Sequence, residues 1–323
     1  MIRRLVTSRE AILFALLAAL FLGFAVFVDG FANVSSLLQR SRYWVATGMI
    51  AVPMTFIIAT AGIDLSVGSM VALCGVVLGL LYRDAGWPIA AAVVGAVLTG
   101  LAAGAFNGGV SSYLRVPPLV VTLATMALFR GLAMGLSKAR SLGGLPDGFL
   151  WLRNGNAWVL VGGDPGFYVP VSVFALAAVF AVGWVVMRRT WVGRFAECIG
   201  ENPVAAAFAA INVRRLTFAL YAACGLVCGI AALFHTALYY AAKADTARGM
   251  ELEAIACVVV GGTRISGGSG TIAGTLLGLL IIGILRYGLE MAGVKSQHVV
   301  IVVGFLLIAT AVFNEWMATR KGE

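Results

Sequence analysis

Apolar runs long enough to cross a bilayer recur along the chain, separated by short polar interruptions. The first covers residues 11–28 and the second residues 43–61, which carries Pro53. The third lies at 71–81, the fourth at 89–111, and the fifth follows Pro117-Pro118 and runs to Leu136. Five more lie at 168–187, 217–238, 252–261, 271–289 and 298–313. A helix needs about 20 apolar residues to cross the hydrocarbon core, so the pattern predicts roughly ten spans. The eighth run is too short to cross alone. It is expected to begin near Met250 and to end inside the protein. Proline costs little at the first turn of a helix, so Pro117-Pro118 closes one span and opens the next. Residues 137–167 form the longest stretch without a strong apolar run and read as an exposed loop with short structure. Residues 31–42 mix polar and apolar positions and suit the membrane interface. The fold class is all-α: a polytopic membrane helix bundle with a possible internal repeat.

Composition agrees. The chain is 61% hydrophobic and 11% charged, where soluble domains carry about 25% charged residues. No polar block remains for a soluble domain, so residues 1–323 read as a single transmembrane domain. Arg3, Arg4 and Arg9 before the first run suggest a signal peptide, but the run exceeds a usual h-region and lacks a small-x-small cleavage site. It reads as a retained span. The net charge of +9 does not indicate nucleic acid, because basic residues collect on the cytoplasmic loops of membrane proteins. The strongest positive cluster is Arg188, Arg189, Arg194, Arg214 and Arg215 around residues 191–213. Placing it inside puts both termini in the cytoplasm. The five cysteines and two histidines show no disulfide or metal-ligand spacing.

Residues 62–70 read GIDLSVGSM and interrupt two apolar runs with an aspartate, two serines and two glycines. Such a stretch at membrane depth must face protein or a water-filled path. Residues 264–280, RISGGSGTIAGTLLGLL, resemble 64–81, DLSVGSMVALCGVVLGLL. Interrupted segments at matching positions point towards a transport path. Gly62, Gly68, Gly267 and Gly268 mark the two breaks. Asp64 can instead cap the following helix, a role at least as well supported as contact with a substrate. Asp64, Ser66, Ser69, Asn107, Thr122 and Thr125 are the candidates for a substrate path, and the neutral hydrogen-bonding groups of Thr55, Asn107, Thr122 and Thr125 suit a hydroxylated ligand better than an ion. Arg130, Glu253, Arg286 and Glu290 lie in or near spans, and snorkelling or ion pairing near span ends is favoured over a place on the path for Arg130, Arg286 and Glu290. Glycines four apart recur at Gly75/Gly79, Gly100/Gly104/Gly108, Gly131/Gly135, Gly225/Gly229 and Gly270/Gly274/Gly278, the spacing of close helix packing in lipid. No G-x-x-x-x-G-K-[ST] loop is present, so energy for active transport would come from a partner or an ion gradient.

Four stretches together resemble one family. They are GIDLSVGS at 62–69, VPPLVVTLATMALFRG at 116–131, GENPVAAAFAAINV at 200–213 and ELEAIACVVVGGTRISGGSGTIAGT at 251–275. They are similar to the membrane subunits of ribose-type bacterial ABC importers, and the similarity also extends to autoinducer-2 and rhamnose importer permeases. The resemblance implies an inner-membrane permease for a monosaccharide or similar small hydroxylated ligand. It implies a second permease subunit, identical or not, and a cytoplasmic ATPase, often in tandem, that holds ATP and magnesium. It also implies a periplasmic sugar-binding protein. The segment at about 188–216 then corresponds to the loop that couples to the ATPase, with Gly193, Arg194, Glu197, Gly200, Glu201 and Asn202 as its candidate residues. An ion-coupled secondary transporter and a non-transporting scaffold are the alternatives from other classes.

Overall fold

The structure is a computed structural model that describes residues 9–158 and 168–319. Arg3, Arg4, Arg320, Lys321 and residues 159–167 of the long loop lie outside the described residues. The chain runs through α1 (Arg9–Phe27), α2 (Val34–Ser41), α3 (Val45–Ala59), α4 (Val67–Gly79), α5 (Ile89–Tyr113) and α6 (Pro118–Ser137). A strand β1 (Leu142–Gly143), helix α7 (Asp147–Asn154) and strands β2 (Asn156–Trp158) and β3 (Tyr168–Pro170) follow. Then come α8 (Val171–Arg189), α9 (Trp191–Glu201), α10 (Pro203–Phe208), α11 (Val213–Leu238), β4 (Ala241–Ala242), α12 (Met250–Val260), α13 (Ile272–Met291) and α14 (Ser296–Thr319). β1 pairs antiparallel with β4, and β2 with β3.

The architecture is an all-α bundle. Among the described residues, eight helical segments are long and apolar enough to cross a membrane. The ten expected spans correspond to α1, α3, α4, α5, α6, α8, α11, α12, α13 and α14. α12 falls short of that criterion. It has only 11 residues and ends in the interior, where Val260 and Thr263 are buried. Within α14, Gln297–Thr310 is apolar.

The core is built around α3. All of its residues are buried, Pro53 included, and it packs against α8, α9, α11, α12 and α13. Its hydrophobicity runs all the way round, as expected of a helix enclosed by others. α1 lies at the periphery against α13. It is anchored by the chain that follows it: Phe31 is wholly buried between Phe24 and Tyr287, each with ring centroids 5.3 Å away.

In lipid, apolar surface has no water to escape, so helices associate through close packing of small residues. The tightest pair is α5 with α11. Gly100, Gly104 and Gly108 on α5 meet Gly225, Gly229 and Tyr221 on α11. A Cβ on Gly104 would stand 2.8 Å from the Gly225 Cα, and one on Gly229 2.8 Å from the Val97 Cα. A second seam joins α12 to α13, where a Cβ on Gly278 would come within 2.8 Å of the Gly261 nitrogen. Gly131 and Gly135 on α6 have nothing within 4 Å of a would-be Cβ, so their spacing serves no contact inside the chain. Gly104→Leu is expected to destabilise the bundle by about 1–3 kcal/mol through overpacking, while Gly131→Ala leaves it unchanged. Thermal unfolding in detergent compares the two.

Candidate functional site: two helix breaks and the connecting helix

The first break covers the residues between α3 and α4. The chain leaves α3 through a turn in which the Gly62 N–H donates to Ile57 O at 3.0 Å and Ala61 adopts a positive φ of 60°. Beyond it, the Asp64 Oδ1 accepts from the Ser66 N–H at 2.9 Å and from the Ser66 hydroxyl at 2.6 Å. Ser66 occupies the N-cap position of α4 without a side-chain capping bond. Asp64 therefore closes the turn that delivers the chain into α4, two residues ahead of the position from which side chains usually cap a helix. The Ser69 hydroxyl donates to Ser66 O at 2.7 Å.

Three other helices hold this turn. From α5, the Asn107 amide donates to the Ser66 Oγ at 2.8 Å. From α6, the Thr122 hydroxyl reaches Ile63 O at 3.3 Å, and from α11 the Tyr221 hydroxyl reaches the same carbonyl at 3.3 Å. Thr125 lies one turn on in α6, with its hydroxyl on Thr122 O at 3.3 Å. Asp64, Ser66, Ser69, Asn107 and Thr122 are all fully buried, and Thr125 nearly so. The structure thus gathers the six candidates into one region but encloses them. The Asp64 Oδ2 and Asn107 Oδ1 have no hydrogen-bond donor among the described residues.

The second break covers the residues between α12 and α13. The Gly267 N–H donates to Arg264 O and the Arg264 N–H to Ser269 O, at 3.0 and 3.2 Å. Gly267 and Gly268 hold φ values of 88° and 81°, which favour glycine. Thr271 starts α13, its hydroxyl accepting from the Gly274 N–H at 3.0 Å. The two breaks differ in detail. Gly68 lies inside the first turn of α4, whereas Gly268 lies in the loop. Ser66 is buried, and Ser266 is exposed.

The connecting segment is an amphipathic pair of short helices. Thr190 caps α9 on the Val192 N–H at 3.2 Å. Asn202 caps α10 on the N–H groups of Val204 and Ala205 at 2.9 and 3.0 Å, with Pro203 in the first position. Gly193 packs on the Met187 backbone. Gly200 packs on both breaks: a Cβ there would overlap the Ala59 carbonyl oxygen and the Gly268 nitrogen. Those two atoms are themselves hydrogen-bonded, Gly268 N–H to Ala59 O at 3.0 Å. Glu201 lies 3.6 Å from Arg264. Burial pushes the Glu197 carboxyl above its usual pKa, and the Gly270 N–H and Arg188 oppose that rise. Arg194, Glu201 and Asn202 are exposed, as are Val204 and Phe208 on α10. A cavity of about 860 Å³ opens beside α10, with Gly62, Ser111, Tyr221, Arg115, Arg214 and Phe208 among its lining.

The opposite ends of α3, α11, α12 and α13 surround a second cavity of about 450 Å³. Arg286 pairs with Glu253 and Arg40 with Glu290 across it. Arg130 lies nearby and donates to Ala244 O at 2.7 Å and Thr246 O at 2.6 Å. Sequence reasoning singled out Arg130, Glu253, Arg286 and Glu290 but not Arg40, and favoured snorkelling or pairing at span ends for Arg130, Arg286 and Glu290. It did not identify the cavity, because Tyr43, Tyr239 and Tyr287 on its wall come from distant segments.

The model of the family described as branched-chain amino acid transport system / permease component matches residues 36–311. The chain belongs to this permease family. It is 34% identical over 320 residues to the autoinducer 2 import system permease protein LsrD of Klebsiella pneumoniae, covering 95% of this chain and 93% of that protein. It is also 34% identical over 330 residues to the proteins of that name from Escherichia coli K12 and Shigella flexneri, with 97% of each chain covered. No solved structure matches. The permease is a subunit of an ABC importer and a multi-pass protein of the bacterial inner membrane. An ATPase and a substrate-binding protein are the partners that the family implies.

Asn107→Ala removes the donor that holds Ser66 from α5. A lost bond at a buried polar group costs about 1–3 kcal/mol, so this variant is expected to unfold at lower temperature in detergent, whereas Thr125→Val, whose bond is internal to α6, changes little.

Proposed function

We propose that the permease moves a small hydroxylated ligand, of the autoinducer-2 or monosaccharide class, by alternating access driven by a partner ATPase that docks on α9 and α10. The names of the full-length relatives support the ligand class. The observation that carries the mechanism is the seat of Gly200: the connecting helix touches the backbone of both helix breaks at one point. A push on α9 would therefore reach α3 and α12 together. Rigid helices transmit such a push with little loss, since packed elements shift between discrete arrangements rather than deforming smoothly.

In this reading α9, α10 and both chain termini face the cytoplasm, and the arginines around the connecting segment supply the positive-inside bias. Exposed Arg194, Glu201, Val204 and Phe208 offer charged and apolar contacts to the ATPase. A second permease subunit, the same chain or a sister, completes the path. A periplasmic binding protein delivers the ligand to the other end, and the ATP and magnesium sit on the ATPase. Asp64, Ser66, Ser69, Asn107, Thr122 and Thr125 act as the hinge core next to the path. Gly62, Gly267 and Gly268 give the two breaks their bends, and Gly68 leaves room in the first turn of α4 for the Glu251 carboxylate.

The test uses the complete importer in proteoliposomes with labelled autoinducer-2 and labelled ribose. Gly200→Val forces the Ala59–Gly268 contact apart at a strain of about 1–3 kcal/mol, which corresponds to about 5- to 150-fold in uptake rate. ATP hydrolysis is expected to persist while uptake falls. Unchanged uptake in this variant would remove the coupling assignment. Uptake by this chain alone on a proton or sodium gradient would favour the secondary-transporter reading. Asp64→Asn keeps the acceptor oxygen for Ser66 and is expected to retain uptake. Loss of uptake without loss of thermal stability would show that the charge itself is required.

A further inference from the structure

We infer that the cavity at the end of the bundle opposite Gly200 is a binding site for the transported ligand and that it takes a small ring compound bearing several hydroxyls. This inference rests on the importer reading. The volume of about 450 Å³ lies within the usual range of about 300–1,000 Å³ for small-molecule pockets. A neighbouring space of about 570 Å³ shares Arg40, Tyr43, Tyr287 and Glu290 with it and opens outward.

The wall has two kinds of surface. One is aromatic. The Arg40 guanidinium lies 5.1 Å from the Tyr43 ring centroid and 6.0 Å from that of Tyr287. Tyr239 lies 4.8 Å from the His235 ring and 6.5 Å from Tyr43, and is 54% exposed. The other surface is ionic: Arg286 pairs with Glu253 and Arg40 with Glu290, and Arg42 and Arg248 also line it. Paired guanidinium and carboxylate groups present fixed donors and acceptors, and the further guanidinium groups add donors. Apolar rings beside such pairs match a ligand whose C–H face stacks while its hydroxyls bond at the edge. A lipid tail would leave the pairs without polar contacts.

Placement supports the same assignment. Glu253 lies eight residues before Gly261 on α12, or about 12 Å along a helix, and Gly261 borders the second break. α3 ends at the Gly200 contact, the second break that bears Gly268 joins α12 to α13, and all three helices contribute to the wall. Any tilt of α12 against α13 shears the Glu253–Arg286 pair and changes the shape of the cavity. At the rim, Arg153 of α7 stacks over Tyr240 at 4.2 Å, and the Tyr240 hydroxyl donates to the Asn154 side chain at 3.3 Å.

Tyr239 tests the assignment, because no hydrogen bond of its side chain ties the fold together among the described residues. In the complete importer, Tyr239→Ala is expected to lower uptake of labelled autoinducer-2 or ribose by about tenfold or more, as removal of an aromatic anchor does. Tyr239→Phe is expected to retain most of it. Stimulation of ATP hydrolysis by the loaded binding protein stays intact in both. In a second measurement, a Leu238→Cys thiol on the cavity wall, in a Cys198→Ser background, is protected from a water-soluble maleimide by whichever probe is imported. Wild-type uptake with an unaffected Tyr239→Ala variant, or a thiol indifferent to the imported probe, overturns the site and leaves the importer reading standing. No uptake of either probe by the wild-type complex overturns the ligand class itself. Equal loss of uptake and of ATPase stimulation in Tyr239→Ala assigns the residue to structure and overturns its role in binding.

Discussion

The contact on which the bundle turns is one between backbones. Gly200 sits so close to the Ala59 carbonyl and the Gly268 nitrogen that no side chain fits there, and those two groups are bonded to each other at 3.0 Å. Three segments that are far apart in sequence thus meet without any intervening side chain. Such a contact has little slack, because close-packed backbone cannot be compressed and its hydrogen bond has a narrow range of good geometry. It ties the connecting helix α9 to the end of α3 and to the second break, which joins α12 to α13.

The same economy of side chains holds the rest together. With lipid around the outside, burial of apolar groups gives little preference for one helix partner over another. The glycine seams between α5 and α11, and between α12 and α13, supply that preference through close approach. The polar break between α3 and α4 is then affordable in the interior only because α5, α6 and α11 each bring a hydrogen-bonding group to it. Asn107, Thr122 and Tyr221 meet the backbone or Ser66 there, so carbonyls freed by the break are not left in hydrocarbon.

The polar groups are divided between two ends with different character. Around Asp64 they are neutral apart from the one carboxylate, sealed, and engaged with backbone. Around Glu253 and Arg286 they are ionic, paired and open to a cavity. A sealed network sets a geometry, whereas an open one can exchange its partners with a ligand. α3, α11, α12 and α13 connect the two ends, which is how a change at one becomes a change at the other.

Hydropathy alone determined the all-α, multi-span class, because a bilayer imposes one length and one polarity on any segment that crosses it. Capping chemistry was equally local, and Pro118, Asn202 and the glycines of the second break mark helix ends in the sequence itself. Glycine spacing announced close packing without naming partners: Gly104 meets Gly225, while Gly131 meets nothing among the described residues. A linear pattern fixes the depth of a residue along its helix but not the direction it faces. Asn107 therefore appeared as a candidate pore group, and only the rotation of α5 turned it onto Ser66. Asp64 read equally well as a cap or a ligand until its turn was seen to close two residues ahead of α4. The pairing of Arg286 with Glu253, the ring of tyrosines around them and the seat of Gly200 are products of tertiary structure, because each depends on how separate helices are placed side by side.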